Sequence, residues 1–149
     1  MTVIRRQLAE QAKTWLDVSY EHRGITRFGC DCTGLIIGCL RELGYMQHYH
    51  LREYPFQWNL HGGAGDYICE EVVKIADLVP NHSPKPGDIV VFRFARCRAH
   101  AGLIVAAPKF IHALSSNEKV CWAVLAGRQW AKRWERTYRI NADKLGRYT

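Results

Sequence analysis

The sequence predicts an α+β fold in which helices come first and an antiparallel sheet follows. Apolar residues recur at helical spacing in residues 3–16, and residues 32–43 are apolar around most of a helical circumference. After Pro80 the pattern changes to short, β-branched apolar segments bounded by proline and glycine, which is typical of strands. Helices followed by strands, instead of alternating with them, favour an antiparallel sheet.

The helix predicted for residues 32–43 has clear start and stop signals. Asp31 can cap its first turn, and Gly44 can end it. Gly34 and Gly38 lie four residues apart, so one stripe of this helix has no side chains. Because glycine inside a helix costs about 0.8–1 kcal/mol relative to alanine, we expect another backbone or a ring to pack closely on that stripe.

Periodicity and turn residues predict the remaining elements. Residues 46–65 are rich in aromatic residues and histidine and have no clear period, so we expect a long loop of the kind that is often functional. The other predicted helices are residues 66–78 and 123–134. The predicted strands are residues 89–94, 100–105, 109–113 and 137–140.

Length and composition predict one compact domain that spans residues 1–149. The formal charge of +7 favours polyanionic partners, namely nucleic acid, anionic lipid or wall polymers. For a charged run of this kind a solvated helix face is the simpler explanation, so charge alone selects no partner. The positive charge is concentrated late, in Arg128, Lys132, Arg133, Arg136, Arg139, Lys144 and Arg147.

Six cysteines could form three disulfides in an exported protein, but the N-terminal residues lack the continuous apolar stretch of a signal peptide. We therefore expect synthesis in the cytosol with reduced thiols. No apolar run in the sequence approaches the ~18 residues of a membrane-spanning helix, so we expect no membrane span. Structural zinc sites show two paired ligand sets, whereas Cys30, Cys32 and Cys39 contain only one C-x-C, so we predict no metal and no cofactor.

Cys32 is the candidate nucleophile because it begins the second predicted helix. The unpaired N–H groups and the dipole of a helix N-terminus favour an anion, so we expect a thiol pKa below the ordinary value of about 8.5. The same N–H groups can hold the oxyanion that forms when a carbonyl is attacked. An arbitrary cysteine is more often a small buried residue, so this assignment depends on a base within reach.

Two histidines on adjacent predicted strands can supply that base. Side chains alternate along a strand, so His100 shares a face with Gly102. A pairing of Val105 with Lys109 sets Gly102 opposite His112. His100 is then the diagonal neighbour of His112, and the glycine leaves space for the two rings to meet. His100 can thus act as base toward the thiol, while His112 orients the His100 ring.

Four linked motifs resemble one known family. They are G-C-D-C-T-G-L-I at residues 29–36, K-P-G-D-I-V-V-F at residues 85–92, H-A-G-L-I-V at residues 100–105 and K-F-I-H-A at residues 109–113. By these motifs the chain is similar to the NlpC-type cell-wall cysteine peptidases. The resemblance implies a papain-like core in which the nucleophile helix packs on an antiparallel sheet. It also implies hydrolysis of peptidoglycan stem peptides that contain D-glutamate and a diamino acid, without a cofactor.

The same resemblance implies roles for individual residues. Cys32 is the implied nucleophile, His100 the base and His112 the third polar residue. Substrate-binding roles are implied for three further residues, Tyr20, Asp31 and Trp58.

Tyr20 matches a tyrosine that these enzymes place beside the nucleophile, and Asp31 matches the acid just before it. Two departures from the family pattern are visible in the sequence. The usual D-C-S-G is D-C-T-G, which keeps the hydroxyl. The usual tyrosine-x-x-Gly-Gly is Y-E-H-R at residues 20–23, which changes the local shape of the substrate groove.

The chain is most similar to the phage and gene-transfer-agent branch of the family in three features. These are its size, the lack of a signal and residues 58–61. This likeness implies a phage or prophage gene and, besides peptidoglycan stem peptides, phage tail proteins as partners. It also implies action at the cell wall or in the periplasm, with attachment to the virion as one route there.

Other functions stay open on the sequence. A nucleic-acid-binding module would use Trp130, Trp134 and Tyr138 as stacking platforms, but their spacing of four also suits anchoring of a helix on the sheet. A non-catalytic phage tail or wall-binding protein could keep the same fold. An amidase or a transferase could use the same cysteine–histidine pair. Retention of all three candidate catalytic residues favours an enzyme, and we expect no specific nucleic-acid partner.

Overall fold

The structure is a computed structural model that describes residues 3–51, 66–80, 83–94 and 97–149. Its helices are α1 (Val3–Lys13), α2 (Cys32–Glu42), α3 (Tyr67–Val72), α4 (Arg128–Ala131) and α5 (Ala142–Gly146). Its strands are β1 (Ile25–Thr26), β2 (Gly29–Cys30), β3 (Ala76–Leu78), β4 (Ile89–Phe94), β5 (Cys97–Ala106), β6 (Lys109–Leu114), β7 (Lys119–Val124) and β8 (Trp134–Ile140). None of the described helices is long and apolar enough to cross a membrane.

Strands β3 to β8 form one antiparallel sheet in the order β3-β8-β4-β5-β6-β7. Strands β1 and β2 form a separate two-stranded hairpin just before α2. Helices α1, α2 and α3 contribute to the core on one face of the larger sheet, and α4 contributes to the cluster on the other face. The predicted α+β fold, with the helix of Cys32 packed on an antiparallel sheet, is confirmed.

Alternation of side chains along the strands divides the interior into two clusters. Ile89 and Val91 of β4 face the helices and join the main core. The smaller cluster on the opposite face consists of the buried residues Val90, Phe92, Ile104, Phe110, Leu125 and Trp130. Trp130 belongs to α4, so this short helix covers the second face of the sheet.

Helix α2 is buried around most of its circumference, as its composition predicts. Asp31 is its N-cap and accepts a hydrogen bond from the Gly34 N–H at 2.8 Å. The glycine stripe is used as predicted, because a side chain at Gly34 would clash with the Gly24 carbonyl and one at Gly38 with the Trp15 ring. The preceding loop and α1 region can therefore lie directly against the helix that carries the candidate nucleophile.

The hairpin of β5 and β6 has the predicted register but a tighter turn. Leu103 pairs with Ile111, which is the register that the sequence predicts. A β-bulge makes Ala106, instead of Val105, the partner of Lys109 at the turn. The predicted register therefore survives in the part of the hairpin that leads toward the two candidate histidines.

Two of the predicted helices are corrected by the structure. The helix predicted for residues 66–78 ends at Val72, because residues 76–78 find a ladder partner in β8 and form β3. The helix predicted for residues 123–134 is wrong at its start, where β7 continues to Val124 in its ladder with β6. From Cys121 to Val124 half-buried and exposed residues alternate, which is the period of a strand. Only α4 remains of that predicted helix.

Candidate active site

The sheet opens between β5 and β6. Both strands extend past the Leu103–Ile111 pair, but their ladder with each other ends at that pair. Beyond it, β5 stays paired with β4, and β6 stays paired with β7. Helix α2 packs against both strands. The backbone N–H of Ala101, at the opened edge of β5, faces the sulfur of Cys32 and acts to lower the pKa of its thiol. The N-terminus of α2 therefore brings the candidate nucleophile to the opening.

Cys32 is half-buried, and its thiol is protonated in the resting site. Burial raises the pKa of the Cys32 thiol to about 12, and the Asp31 carboxylate adds to the rise. The backbone N–H groups of Ala101 and Thr33 act in the opposite direction. The expectation of a lowered thiol pKa is therefore wrong, because the loss of water around the sulfur outweighs the N–H groups that face it.

The two histidine rings meet as predicted. His100 Nε2 and His112 Nδ1 are hydrogen-bonded at 2.7 Å, and the ring planes make an angle of 67°. This bond uses Nε2 of His100, so Nδ1 is the nitrogen that remains for the thiol. Cys32 and His100 both lie in the described part of the chain, and no hydrogen bond joins them there. Catalytic hydrogen bonds are often long in a resting enzyme and tighten when substrate binds.

Both imidazoles are neutral at physiological pH. Burial lowers the pKa of His112 to about 4. Burial also lowers the pKa of His100 well below its ordinary value, and the neighbouring His112 adds to that effect. The site therefore rests as a neutral thiol beside a neutral base, and a neutral His100 is able to accept a proton.

Aromatic side chains enclose the histidine pair within the second cluster of the sheet. This aromatic box consists of Phe92, Phe94, Phe110 and Trp130. Three of its rings have centroids 5.6 to 5.8 Å from that of His100. The ring centroids of Phe110 and Trp130 lie 4.8 to 4.9 Å from that of His112. Both histidines are consequently almost fully buried.

Trp130 and Tyr138 serve the interior and not a nucleic-acid surface. Both side chains are buried. The interpretation as anchors of a helix on the sheet is thus correct for Trp130 of α4, whereas Tyr138 belongs to strand β8 and is buried in the main core. The interpretation as stacking platforms is wrong for both residues. A stacking platform has to present an open ring face to a base.

Tyr20 lies close to the candidate nucleophile, as the resemblance implies. Burial raises the pKa of its phenol, and nearby Cys32 and Asp31 add to the rise. Its backbone forms a bridge with Cys30, and its N–H donates to the Glu118 carbonyl at 2.8 Å. The structure therefore holds Tyr20 beside the thiol, and its part in substrate binding stays a prediction.

Asp31 is buried, and both of its carboxylate oxygens accept hydrogen bonds from within the protein. Oδ1 accepts from the Gly34 N–H and the Thr33 hydroxyl, and Oδ2 accepts from the Arg23 N–H at 2.9 Å. These bonds fix the first turn of α2 and with it the direction of the thiol. The substrate-binding role of Asp31 stays a prediction. Trp58, the third residue with such a predicted role, lies outside the described residues.

The contributions of two residues to the site were not predicted from the sequence. Ala101 acts through its backbone N–H, and no residue type signals such a role. Trp130 was recognised as an anchor, but its contact with the histidines depends on where α4 packs, which no local pattern shows. All six cysteines are free thiols in the structure. Among the described residues no three metal-binding side chains converge on one point.

Five of the basic residues of the C-terminal region fall into two groups. Arg139 pairs with the fully buried Asp88 at 2.8 Å, and Lys144 pairs with Asp77 at 2.8 Å. The other group is Arg128, Lys132 and Arg133. Together with Arg93 and Gln129 these residues line a basic concavity on the surface. Arg139 and Lys144 thus stabilise the fold, whereas the basic concavity presents positive charge to solvent.

Comparison with known proteins adds a sequence relationship. A sequence model of the NlpC/P60 family matches residues 17–139. The murein DD-endopeptidase MepS/murein LD-carboxypeptidase of Escherichia coli K12 is 25% identical to the chain over 137 residues, which are 92% of this chain and 63% of that relative. The chain thus spans less than two thirds of the length of this curated relative.

Solved structures share the fold. NlpC1 from Trichomonas vaginalis has a TM-score of 0.64 at 22% identity, over 92% of this chain and 44% of NlpC1. The peptidoglycan hydrolase RipB from Mycobacterium tuberculosis has a TM-score of 0.53 at 16% identity, over 95% of this chain and 69% of RipB. These structures confirm the predicted papain-like core. From the match over most of its length, the chain belongs to the NlpC/P60 family.

Proposed function

We propose that the chain is a cysteine peptidase that hydrolyses peptide stems of bacterial peptidoglycan between D-glutamate and a diamino acid. The observation that carries this proposal is the thiol of Cys32 at the opening of the sheet, against the residue that follows His100. The hydrogen-bonded histidine pair supplies a base that is already oriented. Family membership and the murein endopeptidase relative support the substrate class.

The proposed reaction begins with proton transfer. Cys32 Sγ attacks the carbonyl carbon of the scissile amide while its proton passes to Nδ1 of His100. The carbonyl oxygen gains the negative charge, and N–H groups at the start of α2 stabilise it. Collapse of the tetrahedral intermediate breaks the C–N bond, and His100 returns the proton to the leaving amine. Water, deprotonated by His100, then cleaves the thioester and releases the acid and the free thiol.

His112 has the role of orienter in this scheme. The scheme requires the tautomer in which His100 Nε2 carries the hydrogen and donates it to His112 Nδ1, which leaves a lone pair on His100 Nδ1. That lone pair is what the thiol proton needs. When His100 becomes an imidazolium, the same bond stabilises its charge.

The setting of the enzyme is also part of the proposal. We place its action at the cell wall, where its substrate is. A phage or prophage gene, phage tail partners and a single domain over residues 1–149 stay predictions. Residues 58–61, which suggested the phage branch, lie outside the described residues.

Digestion of purified peptidoglycan followed by mass spectrometry tests the proposed function. The wild-type protein is expected to release fragments cut between D-glutamate and the diamino acid. Cys32→Ala is expected to release none, because it removes the attacking atom. Cys121→Ser is the matched control, since it changes the other half-buried thiol. Cleavage at the bond between the sugar and L-alanine would identify an amidase, and intact stems after wild-type treatment would refute the peptidase.

A further inference from the structure

Trp130 lies against both imidazoles of the candidate site. Its ring centroid is 5.6 Å from that of His100 and 4.8 Å from that of His112, with interplanar angles of 31° and 86°. The side chain is only 7% exposed although α4 is a four-residue helix. One indole therefore contacts both members of the pair, tilted against one ring and nearly perpendicular to the other.

The backbone does little to hold the histidine pair together. The β5–β6 ladder ends at Leu103–Ile111, so no ladder pair joins the two strands at His100 and His112. The rings are held by their own hydrogen bond and by the aromatic box. Trp130 contacts the three phenyl rings of that box at 4.9 to 6.0 Å between centroids. It is therefore the member that links the box to both histidines.

We propose that Trp130 is a positioning residue that holds the His100–His112 hydrogen bond in the geometry needed by a base and excludes water from that side of the pair. The inference rests on the proposed function, because Trp130 acts through the imidazoles that serve the Cys32 thiol. Exclusion of water strengthens the hydrogen bond between the rings and favours their neutral forms.

The titratable and charged groups around the pair come from several elements. They are Cys32 of α2, Arg98 of β5 with its ion-pair partner Glu135, Cys121 of β7, and Arg133, which follows α4. Arg133 lies over the Phe94 ring, with its guanidinium carbon 4.3 Å from the ring centroid. None of these groups is among the causes that lower the two imidazole pKa values, which are burial and, for His100, the neighbouring His112.

Loss of Trp130 admits water to the two rings. Burial is the largest cause that lowers the pKa of His100 and of His112. Hydration therefore raises both pKa values toward the ordinary value of about 6.5. The base is then protonated, and its function lost, at a higher pH than in the wild type. The protonation of the imidazoles is consequently the direct readout of this role.

NMR titration of the histidine rings tests the inference without any substrate. In Trp130→Ala we expect the pKa of both imidazoles to rise by about one unit or more. Trp130→Phe keeps a ring in place and should change them less. Trp134→Ala is the matched control, because it also removes an indole, one that donates to the Thr137 hydroxyl at 3.1 Å. Unchanged titration in folded Trp130→Ala would overturn the role, and Trp130→Leu serves instead if alanine prevents folding.

Turnover of a soluble stem peptide gives the second readout. The kcat of Trp130→Ala is expected to fall at least about 10-fold with little change in KM, and the acid limb of kcat/KM should move to higher pH. Trp130→Phe should recover most of the loss. A reduced kcat with the wild-type pH profile would show a merely structural role and overturn the inference. An inactive wild type would contradict the proposed function, while the titration still decides the role of Trp130.

Discussion

The two faces of the sheet bury their side chains for different purposes. The face against α1, α2 and α3 has a large, mostly aliphatic core. The other face has a small aromatic cluster that includes both histidine rings and is covered by α4. The candidate nucleophile is carried by a helix on the first face, whereas the base points into the second. In the proposed reaction they meet where β5 and β6 separate beyond Leu103 and Ile111.

This difference teaches how one sheet can provide both stability and chemistry. The first face carries most of the buried apolar side chains, so changes there are expected to affect unfolding. The second face encloses ionisable rings, so changes there are expected to affect protonation and turnover.

The largest expected effect belongs to the histidines of the second face. His100→Ala should lower kcat/KM for a stem peptide by about 10³-fold, because it removes the base. His112→Gln can still accept a hydrogen bond from His100, so it should retain measurable turnover. Circular dichroism should show a folded protein in both cases. Equal inactivity of the two folded variants would contradict the assignment of base and orienter.

The helix face is tested by Gly38→Ala. The added methyl group meets the Trp15 ring, so we expect the free energy of unfolding to fall by about 1–3 kcal/mol. Gly146→Ala is the matched control, because nothing lies within 4 Å of a side chain added there. Urea denaturation measures both variants. A Gly38→Ala protein as stable as the wild type would show that the close contact with α2 is not needed.

Much of the first face was predictable because its signals are local. The cap at Asp31, the glycine pair of α2 and the β-branched apolar run of β4 are each visible within one element. The register of the histidines was also predictable, since a hairpin turn and the alternation of side chains determine it. Local rules therefore sufficed for the scaffold of the nucleophile and for the meeting of the two rings.

The second face was less predictable because its contacts are remote along the chain. Strand β7 was missed, and the ladder with β6 that joins it to the sheet is a contact between separate elements. The contact of Trp130 with His100 spans a turn, two strands and α4. The thiol pKa of Cys32 was predicted in the wrong direction, because the burial that raises it comes from tertiary packing.

The pH dependence of thiol alkylation tests the resting state of the site. With the pKa of Cys32 raised to about 12, the thiolate fraction grows with every unit of pH up to that value. Iodoacetamide should therefore label Cys32 slowly near pH 6 and progressively faster up to pH 9. Peptide mass mapping identifies the labelled thiol. Fast labelling of Cys32 that is independent of pH below about 7 would instead indicate a preformed thiolate–imidazolium pair.

The smallest expected effect concerns the basic concavity. Reversal of charge in Arg128→Glu/Lys132→Glu should weaken adhesion to intact, anionic wall while cleavage of a small stem peptide stays close to normal. Added salt should weaken wild-type adhesion in the same way, because charges are screened beyond a Debye length of about 8 Å at physiological salt. Arg6→Glu/Lys13→Glu is the matched control, because it makes the same change in net charge on exposed residues of α1. Equal loss in both double variants, or tight binding of DNA in a gel-shift assay, would refute this local role.

The central claim is that a thiol from one face and an imidazole from the other form one reactive pair at the opening of the sheet. Treatment with 1,3-dibromoacetone tests it most directly, since this reagent can link a thiol to a nitrogen only when both lie within reach of a three-carbon bridge. Digestion and tandem mass spectrometry then locate the link. The account predicts a bridge between Cys32 and His100 that is absent in His100→Ala. A bridge from Cys32 to any other side chain, or alkylation of Cys32 without a bridge, would contradict it.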